Sequence, residues 1–183
     1  VKKRGFEKIS AKQIKNDFDK EYINLYCNAN KFKYDNNNML EKAKDIRERI
    51  IKLPKRGTAK SAGYDIYSPA DTELQPGDDI KLPTGIKAYM QPDEVLFAYP
   101  RSSLGFKYYC RLANTIGVVD SDFYNNKGNE GHIWVKIRNE GNKIMIIEQG
   151  EAICQMIFQK YLLVDGDSFE GNERIGGLGS TNN

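Results

Sequence analysis

Two periodicities divide the chain. From Lys12 to Arg49 the apolar residues Phe18, Tyr22, Leu25 and Tyr26 recur at three- and four-residue intervals among Lys, Asn, Asp and Glu, which is the spacing of one helical face. A second helical piece is predicted over Met39 to Ile51, with Ile46 and Ile50 on one side and alternating charges on the other. The run Asp35-Asn36-Asn37-Asn38 between them reads as a loop. The expected structure is an amphipathic decoration packed on a larger domain; the functional alternative is a hairpin that binds a partner protein.

From Lys52 onward the period shortens. Tyr64–Tyr67, Gly85–Met90, Val95–Tyr99, Ile133–Ile137 and Lys143–Ile147 have strand composition. Gln75-Pro76-Gly77-Asp78, Leu82-Pro83-Thr84-Gly85 and Glu148-Gln149-Gly150-Glu151 supply turns between some of them. Many short strands at regular spacing predict an all-β barrel, jelly roll or sandwich. The tail from Gly171 to Asn183 is rich in glycine and polar residues, has little to bury, and is expected to be mobile alone.

Composition narrows the partners. With 183 residues the chain suits one domain with a real core and one appendage. A net charge of +3 does not point to nucleic acid or membrane, so anion binding must come from local clusters. No apolar run approaches the length needed to span a bilayer, and the first residues lack the apolar region of a signal peptide. The three cysteines, Cys27, Cys110 and Cys154, are far apart, and Cys110 and Cys154, in apolar surroundings, fit small core residues in a reducing cytosol. A single histidine, His132, rules out His-rich metal sites, and no nucleophile elbow accompanies it.

Four stretches and the tail carry chemistry. In Gly117-Val118-Val119-Asp120-Ser121-Asp122-Phe123 an apolar run ends in two acids and a ring. A carboxylate that follows β-branched residues sits on stiff backbone, where a base belongs, although a strand running into a polar turn would look the same. Pro100-Arg101-Ser102-Ser103-Leu104-Gly105 places a planar fork of donors and two hydroxyls after a strand, which suits phosphate oxygens, or is an ordinary turn. Asp65, inside Ala62-Gly63-Tyr64-Asp65-Ile66, needs a basic group or a hydrated metal if it faces inward. Gln155 stands alone as an amide in the apolar run Gly150–Phe158. Arg174 and Gly176-Gly177-Leu178-Gly179-Ser180-Thr181 resemble a phosphate cradle without the lysine of the Walker arrangement.

Taken in chain order, the five stretches resemble the five motifs of the trimeric deoxyuridine triphosphatase family, the dUTP diphosphatases, from about Lys52 to the end. Arg4-Gly5-Phe6-Glu7 resembles the family's first strand, and Tyr124 to Ile133 the extended hairpin of phage and low-GC Gram-positive members. The resemblance implies a jelly-roll β-barrel over residues 52–170, with a first strand in 1–10, a helical insertion over 11–51 and a phosphate-binding tail over 171–183. It also implies a cytoplasmic homotrimer with shared active sites that cleaves dUTP to dUMP and pyrophosphate.

By motif, Asp120 would be the general base that activates water against the α-phosphorus. Arg101, Ser102, Ser103 and Gln155 would hold phosphates. Asn114 and the backbone of Gly117, Val118, Val119 and Ile133 would read uracil, and Phe123, where the family usually has tyrosine, would stack under the deoxyribose. Mg2+ would be held by the triphosphate and waters, with Asp65 touching those waters and no direct protein ligand. Arg174, Leu178, Gly179 and Ser180 would close over the substrate; Leu178 replaces the usual phenylalanine, which implies a looser lid. A dCTP deaminase of the same fold would need a glutamate base in the hairpin, where Glu130 is the acid available. A regulatory protein partner for the 11–51 insertion is the remaining alternative. Single-stranded nucleic-acid binding is disfavoured by the absence of a basic stripe.

Overall fold

The computed structural model of the chain describes residues 2–18 and 38–169. Among these, all strand pairing is antiparallel. The strands are β1 (Gly5–Lys8), β2 (Lys55–Arg56), β3 (Tyr64–Tyr67), β4 (Thr72–Leu74), β5 (Asp79–Pro83), β6 (Ile86–Tyr89), β7 (Glu94–Pro100), β8 (Cys110–Leu112), β9 (Gly117–Asp120), β10 (Trp134–Asn139), β11 (Met145–Ile147) and β12 (Ala152–Lys160). They form four sheets, β1-β6, β5-β10-β8, β11-β4 and β2-β3-β12-β7-β9. The result is a jelly roll whose sheets wrap one core without closing into a continuous hydrogen-bonded barrel.

Alternation explains the wrapping. β10 buries Val135, Ile137 and Asn139 and exposes Lys136 and Arg138, so one face meets the core and the other meets water. β12 is buried on both faces over Ala152–Cys154 and lies between β3 and β7. Ile153, Cys154 and Met156 are wholly enclosed there with Ile66 and Leu96. Both Cys110 and Cys154 are buried free thiols, and burial pushes the Cys110 thiol up to about 11.

The five-stranded sheet β2-β3-β12-β7-β9 positions the chemistry. Asp65 is on β3, Gln155 on β12, Arg101 just beyond β7 and Asp120 at the end of β9. Stretches separated along the chain thus become neighbours across one sheet.

Helices form a second layer. Ser10 caps α1 (Ala11–Asp17), its hydroxyl accepting the Gln13 N–H at 3.1 Å. α2 (Met39–Asp45) runs on into a π-helical turn over Ile46–Ile50. Ile14, Phe18, Ala43, Ile46 and Ile51 make a small core against Ile86 of β6. α1 ends at Asp17, where Phe18 caps it with φ −83° and ψ 91°. Tyr22, Leu25, Tyr26 and the 35–37 part of the predicted loop lie outside the described residues.

Two local predictions differ from the structure. The Pro100–Gly105 turn is the start of α3 (Ser102–Tyr108), where Leu104 and Tyr108, one turn apart, are buried. Ser, Gly and Phe are poor helix formers, so the packing of this pair holds the helix rather than propensity. The Tyr124–Ile133 stretch has no strand pairing among the described residues. It is a loop organised by side-chain amides: Asn126 accepts the N–H groups of Gly128 and Asn129 at 3.0 Å, and Asn129 accepts that of Gly131 at 3.1 Å.

Candidate active site

A pocket of about 130 Å³ opens at the end of β9. Its wall brings together Asn114, Gly117, Val118, Val119, Asp120, Phe123 and Ile133, the residues singled out for base, sugar and catalysis. β9 runs antiparallel to β7, pairing Val95 with Asp120 and Ala98 with Gly117. The absent side chain of Gly117 matters here, because a Cβ at that position would stand 3.1 Å from the Cβ of Ala98. Asp120 ends the strand in extended geometry, with φ −79° and ψ 159°, and a 3-10 turn over Ser121–Phe123 swings Phe123 back to pack partly on the core. Asp122 points to the exposed side of the same turn.

Ala98, His132 and Trp134 also line the pocket and are not among the residues predicted for it. The signal for two of them was position: they flank Ile133 in the sequence. His132 is buried and bonded at both ring nitrogens. The Gly85 N–H donates to Nε2 at 2.9 Å, and Nδ1 lies 2.5 Å from Oδ2 of Asp17. Burial lowers the imidazole pKa, while Asp17 acts in the opposite sense.

The residues expected to meet phosphate gather at another corner of the sheet. Arg101 Nε is 3.5 Å from Oδ1 of Asp65, so the inward-facing acid has found a basic partner. Gln155 stands between their strands, opposite Asp65 on β3 and Tyr99 on β7. Its amide donates to the Pro100 carbonyl at 3.4 Å. Ser102 and Ser103 open α3 and are exposed. Arg101 and Ser102 border a wide depression of about 620 Å³ together with Phe106 and Tyr109.

Asp120 and Arg101 stand apart along β7. Asp120 faces Val95, and Arg101 lies six residues further along from Val95; at about 3.3 Å per residue the two are roughly 20 Å apart. Arg174, Leu178, Gly179 and Ser180 lie outside the described residues.

Glu130 does not face the pocket chemistry. Its carboxylate accepts the Ser10 N–H at 3.0 Å and the Ser10 hydroxyl at 2.5 Å, and lies 3.8 Å from Lys87. Burial raises its pKa, but the Ser10 hydrogen bonds and Lys87 outweigh that and hold it below the ordinary value.

The antiparallel jelly roll defines an all-β protein that carries an acid, an arginine and an amide at neighbouring strand positions. A model of the dUTPase family matches residues 49–180. Deoxyuridine 5'-triphosphate nucleotidohydrolase of Lactococcus lactis is 47% identical over 132 residues, which is 72% of this chain and 88% of the relative. The enzyme of the same name from Desulfitobacterium hafniense is 34% identical, over 74% of this chain and 90% of its own length. Among solved structures, dUTPase from Streptococcus mutans superposes with a TM-score of 0.57 at 46% identity, covering 62% of this chain and 89% of that one. A Staphylococcus bacteriophage 80alpha dUTPase shares the fold at 19% identity, with a TM-score of 0.55 over 69% of this chain and 94% of its own. The chain belongs to the dUTPase family.

Proposed function

We propose that this chain is a dUTP diphosphatase that hydrolyses dUTP to dUMP and pyrophosphate, with Asp120 as the general base. What carries the reading is the gathering of Asn114, the Gly117–Asp120 strand, Phe123 and Ile133 around one pocket in a chain so similar to named dUTP hydrolases. Asn114 and the backbone of Gly117, Val118 and Val119 on β9 read the polar edge of uracil, while Ile133, whose own N–H and carbonyl are bonded to Ile86 and Thr84, forms part of the pocket wall. Phe123 stacks under the deoxyribose, where a 2′-hydroxyl would collide with the ring. Asp120 takes a proton from the water that attacks the α-phosphorus, a contribution of about 10²–10⁴-fold.

Arg101 offers its guanidinium fork and Ser102 and Ser103 their hydroxyls to the phosphate oxygens, while Gln155 holds the Pro100 carbonyl and so the approach to Arg101. Arg174, Leu178, Gly179 and Ser180 close over the triphosphate. Asp65 is a carboxylate beside Arg101. A single carboxylate fits a hydrated Mg2+ bound chiefly through the substrate, and Asp65 would be the residue that meets it through water. When bound, the ion offsets phosphate charge.

The separation of Asp120 and Arg101 along β7 supports a homotrimer in which one subunit's pocket faces another's arginine. A reducing cytoplasm fits the buried thiols, and among the described residues no helix is long and apolar enough to cross a membrane. Glu130, tied to Ser10 and Lys87, is poorly placed to serve as a deaminase base. The test is pyrophosphate release from dUTP, dTTP, dCTP and UTP side by side, with Asp120→Asn as control. Selective turnover of dUTP that disappears in the control is expected; equal turnover of all four, ammonia from dCTP, or an active control overturns the proposal.

A further inference from the structure

The inserted helices are fastened to the barrel at the back of the nucleoside pocket. The chain enters the insertion after Ile9, whose N–H donates to the Gly85 carbonyl at 3.0 Å. It returns at Ile51, whose side chain occupies the space a Cβ on Gly85 would need. Gly85, at φ +72°, is therefore a junction that only a glycine fills without strain. Its N–H is donated to Nε2 of His132. With Nε2 accepting, the neutral imidazole carries its proton on Nδ1, which donates to Asp17.

The histidine ring has no freedom left. It lies parallel to Phe18, with centroids 6.4 Å apart and planes at 6°, and packs on Trp134 at 5.0 Å. A second tie runs from Ser10, at the head of the same helix, to Glu130. Both ties reach the short segment that leads into Ile133, whose carbonyl accepts the Thr84 hydroxyl at 2.6 Å.

We propose that Asp17 is a positioning residue for the nucleoside pocket: acting through His132, and together with Ser10, it sets the segment that forms the pocket wall, so that the seating of the inserted helices tunes nucleotide affinity. The inference rests on the reading of that pocket as the uridine site. Removal of the Asp17 carboxylate leaves a buried imidazole N–H unpaired, and the ring turns or shifts to find a partner. Asp120 and Arg101 are untouched by this, so the loss falls on binding and not on the chemical step.

The full chain is assayed for pyrophosphate release from dUTP. Separately, dUMP binding is followed through the emission of Trp134, the single tryptophan, which touches both His132 and the pocket. In Asp17→Ala, KM for dUTP and Kd for dUMP are expected to rise about tenfold, the loss of one buried hydrogen bond, with kcat within about twofold. Asp17→Asn, whose amide oxygen still accepts from Nδ1, should recover to within about threefold. If Asp17→Ala does not fold, Ser10→Gly reads the second tie, because glycine is also tolerated at a helix N-cap; KM is expected to rise about threefold with kcat unchanged. Wild-type KM and Kd in the folded variant, or a fall in kcat alone, overturns the inference. A wild-type protein that neither binds dUMP nor cleaves dUTP overturns the uridine-site reading instead.

Discussion

Asp65 lies on β3 and Arg101 just past the end of β7, strands that are not hydrogen-bonded to each other, yet their side chains meet at 3.5 Å across the intervening β12. The carboxylate steadies the guanidinium at the mouth of the open depression beside α3. Lysine would keep the charge and lose the planar fork. Arg101→Lys is expected to lower kcat/KM for dUTP by about 10–10²-fold, the range for a charged hydrogen bond. Asp65→Ala should cost less, about tenfold. Steady-state pyrophosphate release measures both, and an Arg101→Lys enzyme with wild-type kcat/KM would remove Arg101 from the phosphate site.

Separation of the acid from the arginine within one chain makes a second prediction. Asp120→Asn and Arg101→Ala chains should each be nearly inactive as pure assemblies. Unfolded together and refolded as mixtures, they should regain activity, since some sites then combine an intact Asp120 from one subunit with an intact Arg101 from another. Mixtures no more active than their parents would place both residues' partners within a single chain.

Gly63 and Gln155 are coupled by contact. A Cβ on Gly63 would stand 2.5 Å from Oε1 of Gln155, which must swing away from the Pro100 carbonyl it now holds. Gly63→Ala should destabilise the fold by about 1–3 kcal/mol, as overpacking does. In the Gly63→Ala/Gln155→Ala double variant the clash is gone, so the two changes should be non-additive by about 1 kcal/mol or more. Urea melts of the four proteins check it; strict additivity would separate the two residues.

Acid should loosen the pocket wall through His132. Burial is the largest influence on the ring and lowers its pKa; Lys81 of β5 acts in the same sense, against Asp17 of α1 and Glu130 of the loop, which raise it. The unfolded chain, with an ordinary imidazole near pH 6.5, therefore binds the proton more readily than the folded one. Stability should be constant in this respect above about pH 6.5 and decline as pH falls from there towards the depressed folded value. Glu94 and Glu130, both held below the ordinary carboxylate range, act only in stronger acid. Thermal melts between about pH 7.5 and pH 5 should show a slope that His132→Gln flattens; an equal slope in the variant would clear His132 of the effect.

Much of this site could be read in the chain because its parts are contiguous. Gly117 to Phe123 carries strand, acid and ring within one short run, and the turn that brings Phe123 back to Asp120 is local. Helix α3 was hidden for the opposite reason. Ser102-Ser103-Leu104-Gly105 has weak helical propensity, and what holds it is the burial of Leu104 and Tyr108. His132 was visible as a lone histidine, but Asp17 and Gly85, the residues that bond it, are far away in sequence.

Alternation of apolar and polar residues determined the strands, and the order of acid, arginine, amide and glycine-rich stretches determined the family, because both are properties of neighbouring residues. Only the tertiary structure decided which strands lie side by side, that Asp65 meets Arg101, and that Asp120 stands at the far end of β7 from it. Strand order and register depend on contacts between distant parts of the chain, which burial of a shared core selects and no local pattern specifies.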